Sequence, residues 1–546
     1  MKKTTILLFV FMMLLGYEPV HAQWNPANDV NTRITPADMP DGGCYHVETN
    51  KNGVTYALME EMLPDYKYAA FLQIIDKDGV KLFEDKGFKI CEESNISYID
   101  LLPGNRVTID NEGNAIIALN DQRTGGYSYT LYKFDENGNK LWGDVQLYNA
   151  QSLRRASAIS ICQTTDGGYM AAYMGNVKSN FSKDPFVAVE KIDKDGNFMW
   201  DEPLKLGFAD GEEICNSPYL VDAGMNQCFL VYSKGANQNI MARLIDFDGS
   251  SAWGEDIEIY TGGCWGTMPL YLMLRVGKGP DNGLMVSWRD MRPKAYYQNS
   301  LSYITNDGTY GFSTGIEGTL VSNAEGYSKY QAEFFVDEKD HSTYCLYKQY
   351  NQSLQEFNGV FMQKISKEGE LLWGAEGKTI VEIQKENSNE FCSIKNIDDN
   401  RFAVFYQEGP NGDIYGKVNS YVIIYDKEGN QISDKYNFTT SNYGKIRLHV
   451  SDIIDGKYFI ASWDEYRVDS EDGNVTHGDL CSFMQYIELN EITTGINSVD
   501  ANNESEIVKT EIFTLSGKQI EHVADGVNII RTTYADGKVT VNKITR

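Results

Sequence analysis

One short pattern recurs along most of this chain: an apolar strand, an acidic turn ending in Gly, then an aromatic residue four positions later. It runs Ile75-Asp76-Lys77-Asp78-Gly79 to Phe83, Phe134-Asp135-Glu136-Asn137-Gly138 to Trp142, and Ile192-Asp193-Lys194-Asp195-Gly196 to Trp200. It continues from Ile245 through Gly249 to Trp253, from Ile304 through Gly308 to Phe312, and from Ile365 through Gly369 to Trp373. The last copy, Tyr425-Asp426-Lys427-Glu428-Gly429, lacks the aromatic. Successive turn glycines lie 59, 58, 53, 59, 61 and 60 residues apart. A fixed period of that length marks a repeat architecture, in which each unit buries its apolar faces only against its neighbours.

A second element precedes each acidic turn: a polar turn leading into a strand of small and aromatic residues. Examples are Asn52–Leu58, Asp166–Tyr173 and Asn282–Trp288. Eight such copies can be counted, the last at Lys457–Trp463 and paired with Phe483–Leu489, which has no glycine turn. Turns of Gly with Asp or Asn are the chemistry of short β-hairpins. Four short strands per unit predict an all-β fold, an eight-bladed β-propeller over 23–490, with seven blades as the alternative. The eighth unit lacks an outer strand, and a segment near 29–35 is predicted to supply it and close the ring. The recurring Trp and Phe are read as wedges between blades. The Asp-x-Asp-Gly turns are too short for the oxygen ligands that calcium requires.

Residues 1–22 read as a secretory signal, with Lys2 and Lys3, an apolar run Ile6–Leu15 and cleavage expected between Ala22 and Gln23. The apolar run is too short to span a bilayer, and no transmembrane anchor is expected elsewhere. A formal charge of −28 excludes nucleic acid as a partner, because phosphate binding needs clustered Lys and Arg. The nine cysteines include no CxxC pair, and their spacing proposes no disulfide partners. No zinc-spaced His and Cys cluster is present, so no metal or cofactor is expected.

The phrase Asp-Gly-Gly-Tyr…Val-Glu-Lys-Ile-Asp-Lys-Asp-Gly-Asn-x-x-Trp around 166–200 resembles propeller repeats of exported Bacteroidetes proteins, a likeness of architecture that carries no activity. The tail, beyond a linker at 491–506, resembles the C-terminal sorting domain of type IX (Por) secretion cargo. The likeness rests on Leu515 and Gly517, on Gly526-Val527, and on a basic last strand containing Lys538 and Lys543. It implies a small β-sandwich over 507–546, a partnership with the secretion machinery, and a final place outside a Gram-negative cell or on its outer-membrane surface.

No Ser-His-Asp order, P-loop, zincin motif or dinucleotide fingerprint occurs, so no catalytic residue is assigned. Three charged motifs follow the second strand of a unit: Asp121-Gln122-Arg123, Arg289-Asp290-Met291-Arg292 and Trp463-Asp464-Glu465-Tyr466-Arg467. The pairs Asp121 with Arg123, Asp290 with Arg292 and Asp464 with Arg467 are candidates for ligand binding or for structural ion pairs. The reading favoured by sequence is a non-catalytic binding protein for a glycan or a protein. Its rivals are a propeller glycoside hydrolase or polysaccharide lyase, and a structural surface passenger. Carboxylates, or a His with Tyr and Arg, converging on the central cavity would select the enzyme.

Overall fold

The computed structural model describes residues 24–493 and 507–545, with the exception of 26, 37–42, 64–67, 85, 95–105, 122–127, 149–154, 177–184, 210–211, 264–272, 293–295, 352–356, 414–415, 468–479, 515–517, 521–526 and 535–538. The expected cleavage pair Ala22 and Gln23, Arg123, and the sorting-motif residues Leu515, Gly517, Gly526 and Lys538 lie outside the described residues. Val527 and Lys543 fall in strands whose side chains at those positions are likewise outside them.

The chain is a β-propeller built almost wholly of antiparallel four-stranded units. Units span 43–94, 107–146, 155–206, 215–260, 275–320, 327–381 and 387–439, with strands in chain order from the axis outward. The first two units are joined at their edges by one pair, Ser94 with Asp121, into an eight-stranded sheet. A further unit combines Lys445–Val450, Tyr458–Tyr466 and Leu480–Glu488 with Thr32–Arg33 as its outer strand. Thr32 pairs with Met484 and Arg33 with Phe483, so the two ends of the repeat region share one sheet.

Each acidic turn is a tight hairpin end. Asp193 Oδ1 accepts the backbone N–H groups of Asp195 at 2.9 Å and Asn197 at 2.8 Å, and Ile192 bridges Phe198 beyond the turn. The acid thus satisfies turn donors that would otherwise be unpaired. Gly196 takes φ +90°, and a Cβ there would lie 3.1 Å from the Trp142 ring. Glycine is therefore required twice, by backbone conformation and by the close approach of the preceding unit's aromatic.

That aromatic relay runs from unit to unit. The indole N–H groups of Trp142, Trp200 and Trp253 donate to the carbonyls of Lys194, Phe247 and Asn306 in the next unit's turn, each at 2.9 Å. Phe83, Phe312 and Trp373 lie against Gly138, Gly369 and Gly429 in the same way. Eight buried apolar clusters result, each shared by two neighbouring units. One of them places Ile34, Ile460 and Met484 against Ala57, Met59 and Phe71, and so joins the final unit to the first.

Two differences from the sequence reading stand out. The stretch expected to open a linker at 491 instead completes a helical turn, Leu489–Thr493. Leu489 and Ile492 are both buried against Phe438 and Phe459, because apolar residues three apart share one helix face. Downstream, Ile507–Thr514, Gln519–Ile520, Val527–Tyr534 and Val539–Thr545 form one four-stranded antiparallel sheet, with no second layer among the described residues.

Candidate functional site

The innermost strand of most units is bent. Its pairing with the second strand slips at Cys44/His46, Ser157/Ile159, Asn216/Tyr219, Tyr330/Glu333, Asn389/Cys392 and Ile446/His449. At four of these bulges a non-glycine residue takes left-handed backbone: Ala158 (φ 51°), Ser217 (54°), Gln331 (54°) and Arg447 (53°). Such conformations are strained for residues with a Cβ and are concentrated where a strand must re-aim its side chains. Pairing resumes at Tyr219, Glu333 and His449. Sequence reasoning missed these residues, since only Pro218, in the Asn216/Tyr219 bulge, marks any of them with a Gly or Pro.

Beyond the bulges, ionisable groups from six units meet around the axis. Lys395 Nζ lies 2.8 Å from Asp452 Oδ1, and His449 Nε2 lies 3.6 Å from Glu48 Oε2. Arg275 pairs with Glu333, and Lys278 Nζ reaches Asp222 Oδ2 at 2.6 Å. Burial works against the Lys395 ammonium, but Asp452, Glu48 and Glu333 together outweigh it and hold its pKa above the ordinary lysine value. Lys395 in turn keeps the Asp452 carboxyl below the usual carboxylate range. Glu333 likewise raises Arg275, and burial raises the nearby Tyr219 phenol despite Arg275.

Two cavities open here. One of about 500 Å³ is lined by Glu48, Asp110, Asn111, Ile161 and Asp452 among others. The second, of about 580 Å³, is lined by Phe335, Glu338, Lys395, Asp399 and again Asp452. Asp452 belongs to both, and its side chain is 90% exposed although Lys395 holds it. Recesses lined by the Glu48, Asp110, Asp399 and Asp452 carboxylates and the Lys395 ammonium can bind polar ligands and can move protons. Among the described residues no group of three His, Cys, Asp or Glu side chains is placed to hold a metal ion.

The motifs singled out from the sequence lie elsewhere. Arg292 Nε donates to both Asp290 oxygens at 3.0 Å, Arg292 Nη1 reaches Glu317 at 2.6 Å, and the guanidinium covers the Tyr260 ring of the preceding unit. Ser300 also donates to the buried Asp290. Asp464 and Arg467 do not pair with each other. Asp464 is held by Arg447 at 2.8 Å and by the Ser482 hydroxyl, whereas Arg467 Nε donates to Glu465 at 2.9 Å. The alternating direction of strand residues explains the exchange: Asp464 and Glu465 project to opposite faces, and only Glu465 shares a face with Arg467. Asp121 ends the strand Ala115–Asp121, and its intended partner Arg123 is outside the described residues.

No family model matches the chain, and no curated protein matches it. Solved structures similar to it include a polysaccharide lyase, at 9% identity, 76% coverage of this chain and 93% of that one, with a TM-score of 0.41. An α-L-arabinanase from Penicillium chrysogenum has 12% identity, coverages of 71% and 93%, and a TM-score of 0.33. A protein of unknown function from Dyadobacter fermentans has 12% identity, coverages of 84% and 99%, and a TM-score of 0.33. Likeness at this level says nothing of activity. No helix among the described residues is long and apolar enough to cross a membrane.

Proposed function

We propose that this chain is a propeller enzyme that cleaves a glycan at the ring axis, as a hydrolase or a lyase. The observation that carries the reading is the set of charges facing one another near the axis: Asp452, Glu48 and Glu333 around Lys395, with His449 beside Glu48 and Arg275 beside Glu333. Either chemistry needs a base and a proton donor on opposite sides of the scissile bond, with cations to steady developing negative charge. In this reading Asp452, held ionised by Lys395, is the base or nucleophile, and the Glu48–His449 pair carries the proton. The domain plan is an eight-bladed ring over 23–490 closed by the N-terminal strand. Export behind residues 1–22 and sorting through the 507–546 module, with release or attachment at the surface of a Gram-negative cell, complete it.

The test is product analysis on a panel of plant, algal and host polysaccharides with the purified full chain. Turnover that falls about a hundredfold or more in Asp452→Asn and Glu48→Gln, with unchanged melting, supports the reading. New reducing ends alone identify a hydrolase, and an absorbing unsaturated sugar identifies a lyase. One feature favours a second reading, non-catalytic glycan or protein binding: Asp452 and Glu333 are already engaged by the Lys395 and Arg275 cations. Tight binding without any product, lost in Asp452→Asn, selects that alternative and overturns the enzyme.

A further inference from the structure

Guanidinium groups in this chain grip carboxylates by one edge. Arg243 Nε donates to Asp256 Oδ1 at 2.5 Å and its Nη2 to Oδ2 at 3.1 Å. Arg401 presents the same edge to Asp398, at 2.9 and 2.7 Å. Arg106 does not. It stands immediately before the inner strand Val107–Ile109, and its carbonyl accepts the Ala118 N–H at 2.9 Å. Its side chain is 1% exposed, and Nη1 donates to the Tyr129 hydroxyl at 2.5 Å. Nε and Nη2, the edge that holds a carboxylate elsewhere, have no hydrogen-bond partner. Tyr129 supplies no counter-charge: burial raises its phenol above the ordinary value despite the guanidinium, so it stays neutral. A guanidinium cannot shed its charge by losing a proton, and a buried charge with unpaired donors is costly.

We propose that Arg106 is a carboxylate-binding site, in which Nε and Nη2 donate side by side to the two oxygens of a bound carboxylate. Two parallel N–H groups in a fixed plane match that group in spacing and direction. A halide would meet the edge at a single point. The carboxylate is either a free small ion or the acid group of a uronic acid sugar. The sugar source rests on the proposed glycan reading; the site itself does not. Val107, next in the chain, lines the recess of about 500 Å³, so the backbone of Arg106 is anchored at the wall of that cavity. Because the edge is shielded from solvent, entry requires local opening, and slow association is expected.

The test uses the full chain with acetate, galacturonate or chloride at one ionic strength, and galactose as the uncharged control. The melting midpoint of the parent is expected to rise with acetate and galacturonate beyond the effect of chloride, and Arg106→Gln to abolish the rise. Galacturonate acting at about a tenth of the acetate concentration or less supports the sugar source. Equal potency supports the site and assigns it to a free ion. No rise with either carboxylate, an equal rise with chloride, or a rise retained in Arg106→Gln overturns the proposal. Should that variant fail to fold, a crystal structure of the parent grown with galacturonate decides. A bound carboxylate on Nε and Nη2 supports the site, and water or a carboxylate of the chain itself on that edge overturns it. None of these readouts involves turnover, so failure of the cleavage reading leaves them unchanged.

Discussion

An ordinary junction in this ring and the junction that closes it solve the same packing problem with different pieces of chain. Between the units at 107–146 and 155–206, Trp142 follows its own turn by four residues, lies on Gly196 and donates to the Lys194 carbonyl. At closure no preceding turn exists to supply such a residue. Trp24 occupies the slot instead: its ring packs on Gly79, and its indole N–H donates to the Lys77 carbonyl at 2.7 Å. The N-terminal segment thus delivers both the missing outer strand and the missing wedge. It also explains why the turn at Gly429 has no aromatic after it, since the unit beyond has no glycine turn to receive one. Ser433 stands at that position and donates to the adjacent Asp434 carbonyl.

The largest effect should come from removing the closing piece. Deletion of residues 24–35 exposes the outer edge of Leu480–Glu488 and the Ile34 side of its core, and an unpaired edge invites aggregation. The expected outcome is a broadened or absent thermal transition and aggregated material on size exclusion; a sharp transition within a few degrees of the parent would show that the ring does not depend on closure. Next comes Trp142→Ala, which empties a site where the side chain is buried. About 3–5 kcal/mol should be lost in denaturant unfolding. Trp24→Ala should cost clearly less, because Trp24 is only half-buried and its hydrogen bond faces solvent. Equal losses would mean that the closing wedge is as essential as the internal one.

The two junctions also bury a carboxylate each, and these sharpen the comparison through pH. Glu190 accepts the Tyr173 hydroxyl at 2.8 Å, yet burial lifts its pKa from 4.5 to about 7. Asp464, at closure, is raised by burial in spite of Arg447 and Ser482. A carboxyl whose folded pKa is raised costs nothing when both states are protonated. Its penalty grows as pH rises from the ordinary value through the folded one, and it is complete above that. For Glu190 the window is therefore about pH 4.5 to 7, and the penalty is at most about 3 kcal/mol. Glu190→Gln should melt like the parent near pH 4.5 and higher than the parent at pH 8. For Asp464 the same sign holds, because burial outweighs Arg447 and Ser482: Asp464→Asn should gain in melting temperature relative to the parent as pH rises above the ordinary carboxylate range. A loss that grows with pH would show that the Arg447 pair outweighs burial at closure.

Smallest are the turns. Asp193→Ala removes an acceptor for two backbone N–H groups and should cost about 1 kcal/mol in denaturant unfolding. Lys194→Ala, which breaks an ion pair with Asp195 on the exposed surface, should leave the midpoint unchanged. A large effect of the lysine would place the turn in an interface.

Much of this architecture is readable in the linear chain because its causes are local. A turn that needs Asp, Gly and an aromatic within nine residues writes all three into one short segment, and the period follows from repeating it. The terminal strand was readable from a count, since one unit was short of a strand. Trp24 was not, because it lies before its strand whereas every internal wedge follows a turn. The motifs at Asp290 and Asp464 drew notice as dense charge, yet they serve packing within and between units. The axial groups drew none: Glu48, Glu333, Lys395, His449 and Asp452 sit singly in unremarkable contexts.

The period, the turn chemistry, the wedge aromatics and the all-β class were thus determined by the sequence itself, through interactions among neighbours in the chain. Tertiary structure alone decided which charges face one another at the axis and that Arg447 rather than Arg467 holds Asp464. Those meetings depend on the rotation accumulated from unit to unit and on left-handed bulges at Ala, Ser, Gln and Arg. Such bulges arise from how an inner strand must bend around the axis, a constraint that no local residue pattern records.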